Sequence, residues 1–397
     1  MRIELKVSEV MCGLKHSERK FARVPEKYRR SLNVKVGEYL HLKTLSGETM
    51  SLVVKPAFRV DVMDDEMCVY MTQETFNSLD TSNEDVTELK AVDDITLGCD
   101  PECVIMEAST GKIIKAYEKD LGNKFTDVGY DGVLLEFRPM PSTSENVVTD
   151  NLCKLIIKAR HMINTSHRIR DANDVKLSAR SYYDKTSVGF HIHFGLPKEL
   201  INKQVPVIFA VNQIVKALDY YLAIPCVIIE GEDNTRRTAI NIPYGKPGEY
   251  RLEYPTLEYR VLGGHILKHP VITKGVLALS ATIIEDVVSR IKICTHNYTD
   301  YSSINSHNDL LDLYPNMPKD PGDIYKAICH RTPRLALSHL DSILKDIEFM
   351  LTFRKHDNNI KGLINCILSK TRMSDDIEQN WREYYHEQKQ QRQMAVH

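Results

Sequence analysis

The chain has no run of about 18 or more apolar residues, the length a membrane-crossing helix needs. No apolar signal core follows Met1-Arg2-Ile3-Glu4-Leu5-Lys6, where charged and apolar residues alternate. The formal net charge is only −2, so neither nucleic acid nor an anionic membrane is expected as a partner. Nine cysteines are scattered from Cys12 to Cys366. Cys99 and Cys103 form the closest pair, but no second pair follows at zinc-site spacing, which disfavours a structural zinc. A reducing cytoplasm is the expected location, with the thiols buried as small apolar groups. There is no Gly-x-x-x-x-Gly-Lys-Ser/Thr loop, which disfavours a P-loop ATPase. No internal repeat is visible.

What is present is ordinary globular material: 397 residues, 42% hydrophobic and 27% charged. That length predicts two or three domains. Charge changes sign abruptly near the start: residues 1–60 hold 13 Lys/Arg against 6 Asp/Glu, and residues 61–100 hold one Lys against 12 Asp/Glu. Such a reversal marks a domain edge or an interdomain contact. Residues 1–79 read as short strands with turns, hence a small β-barrel, with a short helix at Gln73–Leu79. Residues 80–94 read as an acidic linker. From 95 to 296 longer strands mix with helices. Ser144-Glu145 opens a helix with Val148, Leu152, Leu155, Ala159 and Met162 on one stripe. Gln204–Ile224 reads as a buried helix, and Val271–Ile293 as an amphipathic one ending in Arg290/Lys292. The region 297–397 reads as a long loop at Asn297–Asp323, helices near Thr332–Phe353 and Asn359–Ser369, and a Gln-rich tail.

Four segments each place two charged or imidazole side chains two positions apart between apolar neighbours. They are Asp100/Glu102, Glu136/Arg138, His191/His193 and Glu258/Arg260. On a strand, residues two apart share a face, so each pair projects one way while its neighbours bury the other. One such segment alone is compatible with the solvated face of an amphipathic strand. Glu136 lies between Leu135 and Phe137, in a run too apolar for a casual surface strand. His191 and His193 are framed by Gly189 and Gly195, which permit close approach of backbone or ligand. Tyr250-Arg251 precedes the Glu258/Arg260 pair, and Arg236-Arg237 with Tyr244–Gly248 forms a cation-bearing turn. Arginine binds phosphate or carboxylate through a planar fork. Carboxylates, imidazoles and guanidiniums on one surface make an inventory for divalent metal and polyphosphate.

The ordered set Gly98-Cys99-Asp100-Pro101-Glu102, Asp131-Gly132 with Glu136-Phe137-Arg138-Pro139, Gly189–Gly195, and Tyr250-Arg251 followed by Glu258-Tyr259-Arg260 resembles the phage-type carboxylate–amine ligases (amidoligases, type 2). These share the fold of glutamine synthetase and glutamate–cysteine ligase, and the resemblance covers roughly residues 95–295. It implies an α+β fold: an antiparallel curved sheet with helices on its outer face, preceded here by the small barrel and followed by a helical region. Residues 1–79 vaguely resemble a double-psi β-barrel. The resemblance also implies ATP and Mg2+ (or Mn2+) as cofactors. It gives Glu102, Glu136, His193 and Glu258 as metal ligands, with Asp100 and His191 beside them. Arg251 and Arg260 become phosphate-side cations, Arg138 a further catalytic cation, and Arg237 and Lys246 nucleotide contacts. Cys103 departs from the family pattern, which tends to an aromatic residue there. The implied reaction joins a small-molecule or peptide carboxylate to an amine through an acyl phosphate. Assembly into an oligomer is left open.

Three other readings stay open at this stage. A metal-dependent hydrolase could activate water with His191, His193 and Asp100. A phosphotransferase of the same fold would stop at a phosphorylated product. A non-catalytic binding protein would keep the fold alone.

Overall fold

The computed structural model describes residues 3–7, 21–32, 34, 36, 39–44, 49–56, 67–71, 86–91, 95–119, 121–123, 126–169, 171–196, 207–231, 235–239, 244–253, 256–296, 314, 316–330, 332–369 and 373–394. The expected helix at Gln73–Leu79 and most of the Asn297–Asp323 loop lie outside these residues.

The N-terminal part is a six-stranded mixed sheet, in the order β1 (Ile3–Val7), β5 (Met67–Met71), β2 (Phe21–Val24), β4 (Thr49–Pro56), β3 (Tyr39–Thr44), β6 (Val86–Ala91). β1 runs parallel to β5 and β2 parallel to β4; the other pairings are antiparallel. β1 and β6, at the two ends of that order, also touch, as a barrel requires. Its small apolar core is built around Leu40, Leu42, Leu52, Val54 and Val69, with helix α1 (Glu26–Ser31) at its side. One expectation needs correction here. The stretch read as an acidic linker contains β6, paired with β3 from Leu40↔Ala91 to Thr44↔Val86. Acidic composition concealed a strand at the end of the sheet order, where pairing through the backbone is indifferent to side-chain charge.

The second sheet has seven strands, all antiparallel. Its order is β14 (Tyr250–Glu253), β15 (Thr256–Tyr259), β13 (Phe190–Gly195), β7 (Thr96–Glu107), β9 (Leu134–Phe137), β8 (Val128–Asp131), with β10 (Val175–Ser178) also on β7. A two-stranded hairpin, β11 (Tyr182–Tyr183) with β12 (Thr186–Ser187), stands apart from it. Alternation decides the faces. Leu97, Cys99, Cys103, Leu135, Phe137, Phe190, Ile192, Phe194, Leu257 and Tyr259 all enter one large core shared with the helices. The residues between them project from the opposite face.

Helix α2 (Glu145–Thr165) buries Val148, Leu152, Leu155 and Ala159 as its stripe predicts, with Met162 half-buried. The apolar helix expected to Ile224 runs as α3 (Val207–Leu218), then a π-helical turn at Asp219–Ala223, then α4 (Ile224–Glu230). The one-turn helix α5 (Thr235–Thr238) follows, and α6 (Pro270–His296) spans the core. The C-terminal helices α7 (Pro321–Cys329), α8 (Arg334–Glu348), α9 (Phe353–Ser369) and α10 (Ile377–Met394) join the same core through Ile328, Ile343, Leu363 and Trp381. The Gln-rich tail is thus largely helical. Glu, Gln, Lys and Arg are good helix formers, and Trp381 anchors it by donating its indole N–H to the Leu267 carbonyl at 2.8 Å.

Candidate active site

The four polar pairs meet on the sheet face turned away from the large core. In register, Asp100 lies opposite His191, and His193 opposite both Gly98 and Glu258. Arg251 lies opposite Glu258, and Glu102 opposite Glu136. Side chains complete these neighbourhoods. His193 Nε2 is 3.1 Å from Asp100 Oδ2. The buried Glu258 carboxylate sits among three groups: His191 Nδ1 at 3.3 Å, Arg260 Nε at 3.3 Å and Arg251 Nε at 2.5 Å. Glu136 is ion-paired with Arg138, whose Nη1 also donates to the Thr126 carbonyl at 2.9 Å.

Beside these groups opens a cavity of about 400 Å³. Its buried wall includes Glu102, His191 and Arg236; Asp131, Lys185 and Tyr244 stand at its exposed rim, with Arg260 between. The Arg260 guanidinium carbon lies 4.9 Å from the centre of the Tyr244 ring, a cation–π contact that orients the arginine. Glu102 Oε2 accepts a hydrogen bond from the Gly189 N–H at 2.6 Å. Burial pushes the Glu102 carboxyl up to about 7, outweighing Arg236 and the Gly189 N–H, which pull the other way. Burial, reinforced by Arg236 and Arg260, holds His191 well below the usual imidazole range and so neutral.

Arg236 was not among the expected nucleotide contacts. It is 1% exposed, donates from Nη1 to Ser187 Oγ at 2.7 Å and from Nη2 to the Arg260 carbonyl at 3.1 Å. Its Nε has no hydrogen-bond partner among the described residues. Burial lowers it to about 10, with Glu102 opposing that shift. Two glycines make room. A Cβ at Gly189 would lie 2.5 Å from His191 Nε2, and one at Gly245, where φ is +87°, 2.9 Å from Arg236 Nε.

Its neighbour Arg237, which was expected on the nucleotide, turns the other way. It is buried beyond the cavity wall and ion-paired with Glu230. Successive residues of a helix point about 100° apart, so only one of two adjacent arginines can face a given cavity. Nothing in the sequence said which. Lys246 lies in the Tyr244–Glu249 turn, outside the lining, and Arg251 is half exposed on β14. Glu102, His191 and Arg260 line the cavity; Asp100, Glu136, Arg138, His193 and Glu258 lie outside its lining. Among the described residues no three His, Cys, Asp or Glu side chains are grouped to hold a metal ion. No helix among them is long and apolar enough to cross a membrane.

Several solved structures are similar to the chain at a distance. The Pasteurella multocida bifunctional glutathione synthetase is 12% identical at a TM-score of 0.37, covering 74% of this chain; the chain spans about half (52%) of it. PafA, crystallised with the prokaryotic ubiquitin-like protein Pup whose ligase it is, gives 10%, 0.37, 69% and 67% for identity, TM-score and the shares of this chain and its own. Apo GmaS gives 9%, 0.34, 88% and 94%. At such scores none of these bears on substrate or mechanism. No curated protein matches the chain. A family model does match, over residues 97–306, more than half of the sequence and the whole of the polar face just described. The chain therefore belongs to the phage phiEco32-like COOH.NH2 ligase family, type 2.

Proposed function

We propose that the protein is an ATP- and divalent-metal-dependent ligase that joins a carboxylate to an amine through an acyl phosphate. The observation that carries this reading is the meeting of Arg236, Arg260, neutral His191 and buried Glu102 on one cavity, with Glu136 directly across the strands from Glu102. About 400 Å³ is within the range of small-ligand sites. Glu136 is already answered by Arg138, but Asp131, on the same cavity as Glu102, raises the Glu102 carboxyl through like charge, a cost that a bound cation would relieve. Magnesium usually takes one or two protein carboxylates and completes its shell with phosphate and water oxygens, so these donors fit it. Bound there, the ion would neutralise phosphate charge and lower the cost of its transfer.

The chain's own groups supply the rest. Arg236 and Arg260 bind the phosphoryl oxygens and hold the group against the acceptor. The substrate carboxylate oxygen attacks the γ-phosphorus, and ADP leaves. An amine then attacks the acyl carbon, phosphate leaves with the C–O bond electrons and takes up the proton the amine sheds, and an amide remains. Glu258 holds His191, Arg251 and Arg260 in place from behind. Residues 95–296 are assigned as the ligase body, and the N-terminal barrel as an accessory unit. Calorimetry with MgATP tests the reading: the native chain binds, and E102Q and E258Q variants that remain folded bind much more weakly. Unchanged affinity in both variants overturns these roles.

A further inference from the structure

Arg236 and Arg237 straddle the chain leaving β15. Arg236 donates to the carbonyl of residue 260 from the cavity side, and Arg237 Nη2 reaches the carbonyl of Val261, at 3.5 Å, from the core side. Helix α5, which carries both, is a single turn and has little stiffness of its own. Behind it the Arg237–Glu230 pair is fully buried. Glu230 Oε1 also accepts from Ser181 Oγ at 2.8 Å and lies 2.7 Å from His265 Nδ1. The fit is tight: a Cβ at Gly263 would lie 2.1 Å from Ser181 Oγ and 2.3 Å from Glu230 Oε1. Ser181 precedes β11 and Ser187 ends β12, so at the open end of that hairpin one strand is bound to this cluster and the other to Arg236. A buried ion pair is a poor stabiliser beside apolar residues of equal volume, so its presence asks for another role.

Resting on the nucleotide reading above, we infer that Glu230, Arg237, Ser181 and His265 form a clamp that positions Arg236 toward the phosphoryl group without touching it. Held from one side only, the Arg236 guanidinium would withdraw from the cavity, and affinity would fall while the fold stayed intact.

The test pairs calorimetry with thermal unfolding. E230M/R237M replaces the pair with apolar side chains; it is expected to melt no lower than the native chain but to bind MgATP about tenfold more weakly. Introduced into an R236Q chain, the same double change is expected to cost no further affinity, because the residue it positions is gone. S181A, a milder change, is expected to weaken binding about threefold and serves if the double variant does not fold. Native affinity in either variant, or the same loss in the R236Q chain, overturns the clamp. Absence of MgATP binding by the native chain sinks the nucleotide reading itself, an outcome distinct from binding with additive losses.

Discussion

On helix α9, His356 lies between two carboxylates, Glu145 Oε2 at 3.2 Å and Glu285 Oε2 at 3.7 Å, while Lys355 Nζ pairs with Glu285 at 2.8 Å. Around the cavity, Arg236 and Glu102 are just as buried, yet open space remains beside them. Both places take charge out of water, which is costly. The first closes its charges on one another between α2, α6 and α9, and that is architecture. The second leaves Arg236 Nε, buried, without a hydrogen-bond partner among the described residues and with open space beside it, which is how an anion site looks. Burial of charge is therefore no guide to function until one asks whether the charge is already answered.

That contrast can be broken in order of effect. Replacing His356 with alanine leaves Glu145 without its cation and Glu285 with Lys355 alone, and should cost about 3 kcal/mol of stability with MgATP affinity unchanged. A chemical-denaturation midpoint and a calorimetric titration check both halves. R236Q should do the reverse, losing about 2 kcal/mol of MgATP binding, the worth of a charge-assisted hydrogen bond, with a far smaller shift in unfolding. The two sites should also differ with pH. Burial opposes the His356 charge, but Glu145 and Glu285 override it and lift the imidazole from 6.5 to about 9. Its stabilising contribution is thus complete below pH 6.5 and lost as pH rises through 9. Urea titrations across that window should show a decline that H356Q lacks. The smallest effect is expected at the cavity rim. Asp184 and Lys185 occupy the hairpin turn at φ +44° and +64°, where non-glycine residues are strained. K185G should raise stability by about 1 kcal/mol, read from the same denaturation midpoints.

Much of the sheet was legible because its signal is local. Phe190, Ile192 and Phe194 between two imidazoles can satisfy a strand in only one way, and the structure puts them in the core. The register that sets Glu102 against Glu136 was not legible, since it depends on a long-range pairing of β7 with β9. Nor could composition show that β6 is a strand or that Trp381 draws the tail into the core, because each depends on what it meets. The choice between Arg236 and Arg237 turned on the rotation of one short helix.

The partner of Arg237 depends on a second irregularity, upstream in the chain. The wide turn at Asp219–Ala223 carries one residue more than regular winding needs, and Asp219 within it accepts from the Gly248 N–H and the Tyr259 hydroxyl, each at 2.7 Å. Deleting a single residue there would let the two flanking segments fuse into one continuous rod. Helix α4 would swing by about 100°, taking Glu230 out of reach of its arginine. An irregularity of one amino acid, itself buried, thus aims the carboxylate that holds Arg237 behind the pocket wall.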